Sequence, residues 1–236
     1  MEASGNPVEE APGTRVLTVR EILFDLDGTL IDSISAVETA WAQWARQRKI
    51  SYKSLPEFHG RPARETLAHI VEPHEVITAE NQIRELEMDS VTTPTAKKGA
   101  ISLLASLPED RWSVVTSGHR QVSLHRIKSA GLPLPKVLVS GDDVTHGKPD
   151  PEPFRLGQTR SSDDGGVIVA VEDTIAGLQS ARQANCFTIG VIGTMSEEAL
   201  RPWADVVVSG LADITLVQTT PDGLLMAIDA YSHLTV

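Results

Sequence analysis

Two aspartates one residue apart, Asp25 and Asp27, follow the apolar run Ile22-Leu23-Phe24 and lead into Gly28-Thr29. With Leu26 turned away, both carboxyls can reach toward one point, and Gly28 permits the tight turn that this requires. Two crowded carboxylates repel unless a cation lies between them, and an all-oxygen ligand set favours Mg²⁺. The same residues also suit a turn held by local hydrogen bonds to the backbone. The pair alone leaves both readings open.

Three later segments have similar form. Trp112-Ser113-Val114-Val115 runs into Thr116-Ser117-Gly118, where a hydroxyl and free amides before a helix suit phosphate oxygens, or simply cap the helix. In Gly147-Lys148-Pro149 the proline holds the backbone of Lys148 extended, aiming an ammonium that could otherwise be an ordinary loop lysine. Val167 to Val171 delivers Glu172-Asp173-Thr174, two adjacent acids that repel without a metal unless they serve as a helix cap.

Positioning these residues is the task of the elements around them. Val16–Phe24, Trp112–Val115, Val167–Val171 and Phe187–Val191 are continuous apolar runs, with Val137–Val139 and Val206–Val208 as shorter candidates. Lack of alternation fits strands covered on both faces, as in a parallel sheet. Helical periodicity occupies 97–107, 121–130 and 174–184, the last two ending near Gly131 and Asn185. The expected fold is α/β, a doubly wound parallel sheet with right-handed crossovers. Ligands then sit beyond the carboxyl ends of the strands, where all four segments fall.

No strand is expected from Ser33 to Thr95. Helical patterns at 33–49, 64–71 and 75–91 predict a small helical cap domain at 33–96, inserted into a core formed by 16–32 and 97–236. Residues 1–15 carry Glu2, Glu9, Glu10, Pro7 and Pro12 with no apolar block, and read as a disordered tail. Ser161 to Gly166 reads as an exposed turn.

Composition narrows the function. The 236 residues are 41% hydrophobic with a net charge of −11, so a basic nucleic-acid stripe or an attraction to anionic membranes is not expected. No apolar stretch reaches membrane-spanning length. The single cysteine, Cys186, rules out an internal disulfide, sits among apolar neighbours and fits a reducing, cytoplasmic setting.

Taken in order, Asp25 to Thr29, Thr116, Lys148 and Glu172-Asp173 resemble the four signature motifs of the haloacid dehalogenase superfamily of phosphohydrolases, over about residues 20–210. The helical insertion resembles the subgroup with a cap after the first motif. The resemblance implies that Asp25 attacks phosphorus and forms an aspartyl-phosphate, while Asp27 serves as acid and then base. It implies Thr116 and the Ser117 amide on the phosphoryl oxygens, and Lys148 balancing charge around the nucleophile. For Mg²⁺ it implies Asp25, the Asp27 backbone carbonyl, Asp173, and Glu172 directly or through water. Asp27 also separates phosphate-ester hydrolysis from dehalogenation, which needs no acid for an alkoxide.

The cap is expected to choose the substrate, through His59, Arg61 and Arg64 around the turn at Gly60, and through Trp41 or Trp44. The segments 107–118, 142–149 and 35–41 resemble fungal glycerol-phosphate and deoxysugar-phosphate phosphatases and bacterial sugar phosphatases. That points to a small sugar or polyol phosphate such as glycerol phosphate or a hexose phosphate. Departures occur at 158–166, a polar turn, and at Thr174-Ile175-Ala176, where an Ala-Pro pair is usual. A sugar phosphomutase, a phosphatase for an apolar ester and a non-catalytic binding protein are the alternatives.

Overall fold

The computed structural model describes residues 13–89, 93–160 and 165–231. Most of the expected N-terminal tail, and residues 161–164 of the expected turn, lie outside them. Thr14 and Arg15, expected in that tail, instead begin the first strand.

The chain opens with β1 (Thr14–Phe24) and β2 (Ile31–Asp32), leaves for α1 (Ile34–Gln47), α2 (Ala63–Leu67) and α3 (Val76–Met88), and returns on β3 (Thr95–Ala96). It continues through α4 (Ala100–Ser106), β4 (Trp112–Val115), α5 (Arg120–Ser129), β5 (Leu138–Val139), α6 (Glu152–Gly157), β6 (Val167–Glu172), α7 (Ile175–Gln183), β7 (Phe187–Val191), α8 (Glu197–Leu200) and β8 (Val206–Val208). The hairpin of β9 (Ile214–Thr220) and β10 (Gly223–Asp229) closes it.

The parallel sheet runs β5-β4-β1-β6-β7-β8. Side chains alternate along its strands. Ile22 and Phe24 join Val169, Val171, Leu103 and Ile127 on one face, while Leu23 joins Ile168, Ala170, Phe154 and Ala181 on the other. Both faces are therefore dry, which is why these strands read as unbroken apolar runs. The strand order departs in both directions from β1, placing a crevice between β4 and β6 at its carboxyl end.

Three features depart from expectation. The expected helix at 97–107 begins only at Ala100, because Lys97 N–H donates to Leu30 O at 2.9 Å and prolongs the β2–β3 ribbon. That ribbon pairs Ile31 with Ala96 and Asp32 with Thr95, where the chain enters and leaves α1–α3. The third is β9–β10, with β10 antiparallel to the first half of β1 from Thr14↔Asp229 to Val19↔Leu224. A sheet read as purely parallel thus carries an antiparallel extension.

Helices α1–α3 and their connections pack around their own apolar cluster of Trp41, Trp44, Ala45, Phe58, Leu67, Ala79 and Ile83. Among the described residues no helix is long and apolar enough to cross a membrane. Leu224 is fully buried in the main cluster. Leu224→Ala should therefore cost about 2–5 kcal/mol, read as a lowered urea midpoint, if the hairpin belongs to the folding unit; an unchanged midpoint would detach it.

Candidate active site

The parallel register sets Phe24 opposite Val171, and Asp25 N–H donates to Val171 O at 2.9 Å. Asp25 therefore leaves β1 beside Glu172 and Asp173 at the end of β6. Lys148 reaches the same place from the loop after β5. Its Nζ donates to Asp25 Oδ1 at 2.7 Å, Glu172 Oε1 at 2.7 Å and Val115 O at 2.9 Å, which uses all three protons. The lysine is completely buried. Burial alone would disfavour its charge, but Asp25 and Glu172 outweigh that and hold the ammonium protonated.

Each acid here has a distinct set of partners. Glu172 Oε2 accepts from Asp173 N, Thr174 N and Thr174 Oγ1, each at 2.9 Å, so this carboxylate ties off the start of α7. Asp173 accepts from Thr29 Oγ1 at 3.0 Å and from Thr194 Oγ1. Two glycines make room. A Cβ on Gly177 would lie 1.6 Å from Glu172 Oε1. One on Gly28, whose φ is +93°, would lie 2.1 Å from Asp173 Oδ2.

The donor set fits a hard divalent cation. Asp25, Glu172 and Asp173 are all buried and present ligand atoms within 4.8 Å of one another, with Lys148 supplying one positive charge against three negative. Burial, with Glu172 and Asp173 nearby, pushes the Asp25 carboxyl well above its usual range despite Lys148. Burial and Glu172 push Asp173 up to about 7. Carboxylates under that strain gain from an added cation. The Asp27 carboxylate stands outside this group, in keeping with the expectation that only its backbone carbonyl serves the metal.

Asp27 turns instead to Arg126 and Ser33. Arg126 NH1 donates to Asp27 Oδ1 at 2.8 Å, and Ser33 Oγ to the same oxygen at 2.5 Å. The other arm of Arg126 donates to Glu87 Oε1 on α3 at 3.3 Å. A cavity opens above, lined on one side by Asp25, Asp27, Thr116, His119, Arg126 and Glu87 and on the other by Trp41, Phe58, Val37 and Ile83. The Trp41 and Phe58 rings stack with centroids 4.6 Å apart.

The remaining expected residues divide. Ser117, His59 and Arg61 line the cavity, and Ser117 Oγ donates to Gly60 O at 2.9 Å, joining the core loop to the α1–α2 connection. Arg64 does not line it. One turn into α2, its guanidinium turns aside to Glu80, with Nε to Oε2 at 3.1 Å. Trp41 faces the cavity, whereas Trp44 is enclosed in the helical cluster and donates to Gln82 Oε1 at 3.2 Å. Sequence reading missed Arg126, Glu87, His119 and Thr194. Arg126 lies on a helix whose apolar pattern is weak, and an arginine buried to 3% exposure there was the available signal only in retrospect of its partners.

Residues 22–191 match the family described as haloacid dehalogenase-like hydrolase. Hexitol phosphatase A of Escherichia coli is 37% identical over 85% of this chain and 95% of its own length. Validoxylamine A 7'-phosphate phosphatase of Streptomyces hygroscopicus subsp. limoneus is 34% identical over 81% of this chain and 94% of its own. Among solved structures, a hydrolase from Pseudomonas syringae superposes with a TM-score of 0.71 at 23% identity, covering 82% of this chain and 95% of that one.

The raised acids make stability depend on pH. Asp173 ionises near 3.8 unfolded and near 7 folded, so its contribution is full below the first value and lost as pH rises through the second. In a chelator, the melting temperature should fall across that window, and the fall should shrink in Asp173→Asn. Divalent cation should restore more stability above the window than below it. An identical pH profile for the two proteins would contradict the assignment.

Proposed function

The chain belongs to the haloacid dehalogenase-like hydrolases and is a phosphoric monoester hydrolase, and we propose that it releases phosphate from a sugar or polyol phosphate, with Mg²⁺, through an aspartyl-phosphate on Asp25. The observation that carries the mechanism is Lys148 bridging Asp25 and Glu172 beside Asp173. The polyol reading draws on two features. Both curated relatives are named for phosphates of hydroxyl-rich molecules. The cavity also sets an aromatic wall opposite a charged one, suited to a carbon chain with hydroxyls on one side.

Lys148 occupies Asp25 Oδ1 and holds the carboxylate in one orientation. The other oxygen attacks phosphorus while the bond from phosphorus to the alkoxide breaks, and Asp27 gives the alkoxide its proton. Asp27 then takes a proton from water, which attacks the same phosphorus and breaks its bond to Asp25. The products are the alcohol and inorganic phosphate, with both aspartates restored. The Thr116 hydroxyl and the Ser117 amide hold phosphoryl oxygens, a positioning role of the kind that dominates phosphoryl transfer. Asp25, Asp173 and the Asp27 backbone carbonyl would hold Mg²⁺. Glu172, already accepting four hydrogen bonds, would act through water. Bound there, the ion supplies neutralisation of the carboxylates and of the charge on the phosphoryl group. His59 and Arg61 approach from the cap, as the inserted helices are assigned here; Arg64 has no part in the reading.

Assays with a panel of sugar, polyol and aryl monophosphates should show phosphate release that stops in chelator and returns with Mg²⁺. Asp25→Asn should lower it by at least ~1000-fold, the order lost when a covalent nucleophile is removed. Release retained by Asp25→Asn would end the nucleophile assignment. Isomerised sugar phosphate with little free phosphate would instead identify a mutase.

A further inference from the structure

His119 is a buried histidine in the cavity wall that the mechanism above does not use. It occupies the N-cap position of α5, directly after Thr116-Ser117-Gly118. Its exposure is 9%, so its polar atoms need partners within the protein or a ligand. One has a partner. Nδ1 lies 2.9 Å from Asp142 Oδ1, and Asp142 Oδ2 accepts from Arg120 N at 2.8 Å. The other, Nε2, makes no hydrogen bond although it is buried.

The chemistry of Asp142 decides what Nε2 offers. Partial burial opposes its charge, but the Arg120 amide and the His119 ring outweigh that and hold its carboxyl below the usual range. As a carboxylate it only accepts, so Nδ1 carries the proton and the neutral ring has a lone pair at Nε2. The two ring nitrogens face opposite ways. Asp142 is not part of the cavity, so Nε2 faces the α3 side, where Ile83 and Glu87 line it. The nearest acid there is Glu80, whose Oε1 is 3.7 Å from Nε2, beyond hydrogen-bond reach. A lone pair and a carboxylate oxygen thus face one another across a gap with no donor between them. The group that satisfies both is an O–H.

We propose that His119, oriented by Asp142, accepts a hydrogen bond from one hydroxyl of the substrate's carbon chain and so selects polyol or sugar phosphates that carry a hydroxyl at that position. The selection rests on the polyol- or sugar-phosphate reading of the site. Asp142 is a positioning residue: it fixes the tautomer that leaves Nε2 an acceptor. A site built to pair with a hydroxyl discriminates against the analogue lacking it, since the buried group is then left unsatisfied.

The test is a coupling measurement. The preferred polyol phosphate from the panel is compared with its monodeoxy analogues, one hydroxyl removed at a time, in wild type, His119→Ala and Asp142→Asn. In wild type, removal of one particular hydroxyl should lower kcat/KM by about 10–100-fold, the range for one buried hydrogen bond. In His119→Ala the same removal should cost no more than about twofold, because both partners of the bond are gone. Asp142→Asn, almost unchanged in volume, can donate to Nδ1 and move the proton to Nε2; it should shrink the penalty in the same direction and guards against misfolding of the alanine variant. If no single hydroxyl matters in wild type, or if the penalty for its removal persists undiminished in both variants, the proposal is wrong. A wild type that hydrolyses aryl phosphate but no sugar or polyol phosphate would overturn the substrate reading itself, and this selection with it. That result is distinct from the two preceding ones.

Discussion

Three buried carboxylates around one ammonium are the constraint to which the rest of the architecture answers. Asp25, Glu172 and Asp173 are almost without solvent, and Lys148 gives every proton it has to this place. Burying charge is costly unless it is paired and hydrogen-bonded, and removing one partner of such a pair typically costs about 3–5 kcal/mol. The protein meets that cost with backbone geometry. Adjacent parallel strands β1 and β6 end level with one another, so the acids must meet. Glu172 is diverted to cap α7, and glycine stands at the two positions where a Cβ would collide with its neighbours. The acid that retains a raised affinity for protons, Asp173, is for the same reason the one that gains most from a cation.

The inserted helices are coupled to this centre by polar contacts at several points rather than by a shared apolar core. Ser117 Oγ reaches Gly60 O, Gly147 N–H reaches Glu65 Oε1 at 2.6 Å, and Arg126 spans Asp27 and Glu87. Their apolar residues form a separate cluster. Polar contacts of this kind exchange readily with water, whereas the two clusters on either side of the sheet do not. The arrangement joins a rigid reactive floor to a roof that can vary in shape and chemistry, and the charged pair at Asp27 lies where the two meet.

Much of the centre was legible in the sequence because parallel strands leave a plain signature: an apolar run that stops at a functional residue. Asp25, Thr116 and Glu172 each end such a run, and the structure brings all three to one crevice. Lys148 was legible through its order among the motifs rather than through any pattern of its own. What escaped was whatever depends on tertiary pairing. Arg126 and Asp27 are 99 residues apart, and neither predicts the other. Arg64 was placed near the substrate from its proximity to His59, but its position in α2 directs it to Glu80. The β9–β10 hairpin escaped because its strands alternate polar and apolar residues at the sheet edge, where the signal is weak.

The claim on which the rest turns is that Lys148 holds Asp25 for covalent attack on phosphorus. The stereochemical course at phosphorus tests it most directly, using a substrate whose phosphoryl group is made chiral with sulfur and oxygen isotopes and hydrolysed in isotopic water. Two successive in-line displacements, one by Asp25 and one by water, give net retention of configuration. Inversion would mean a single direct attack by water, and would contradict the account.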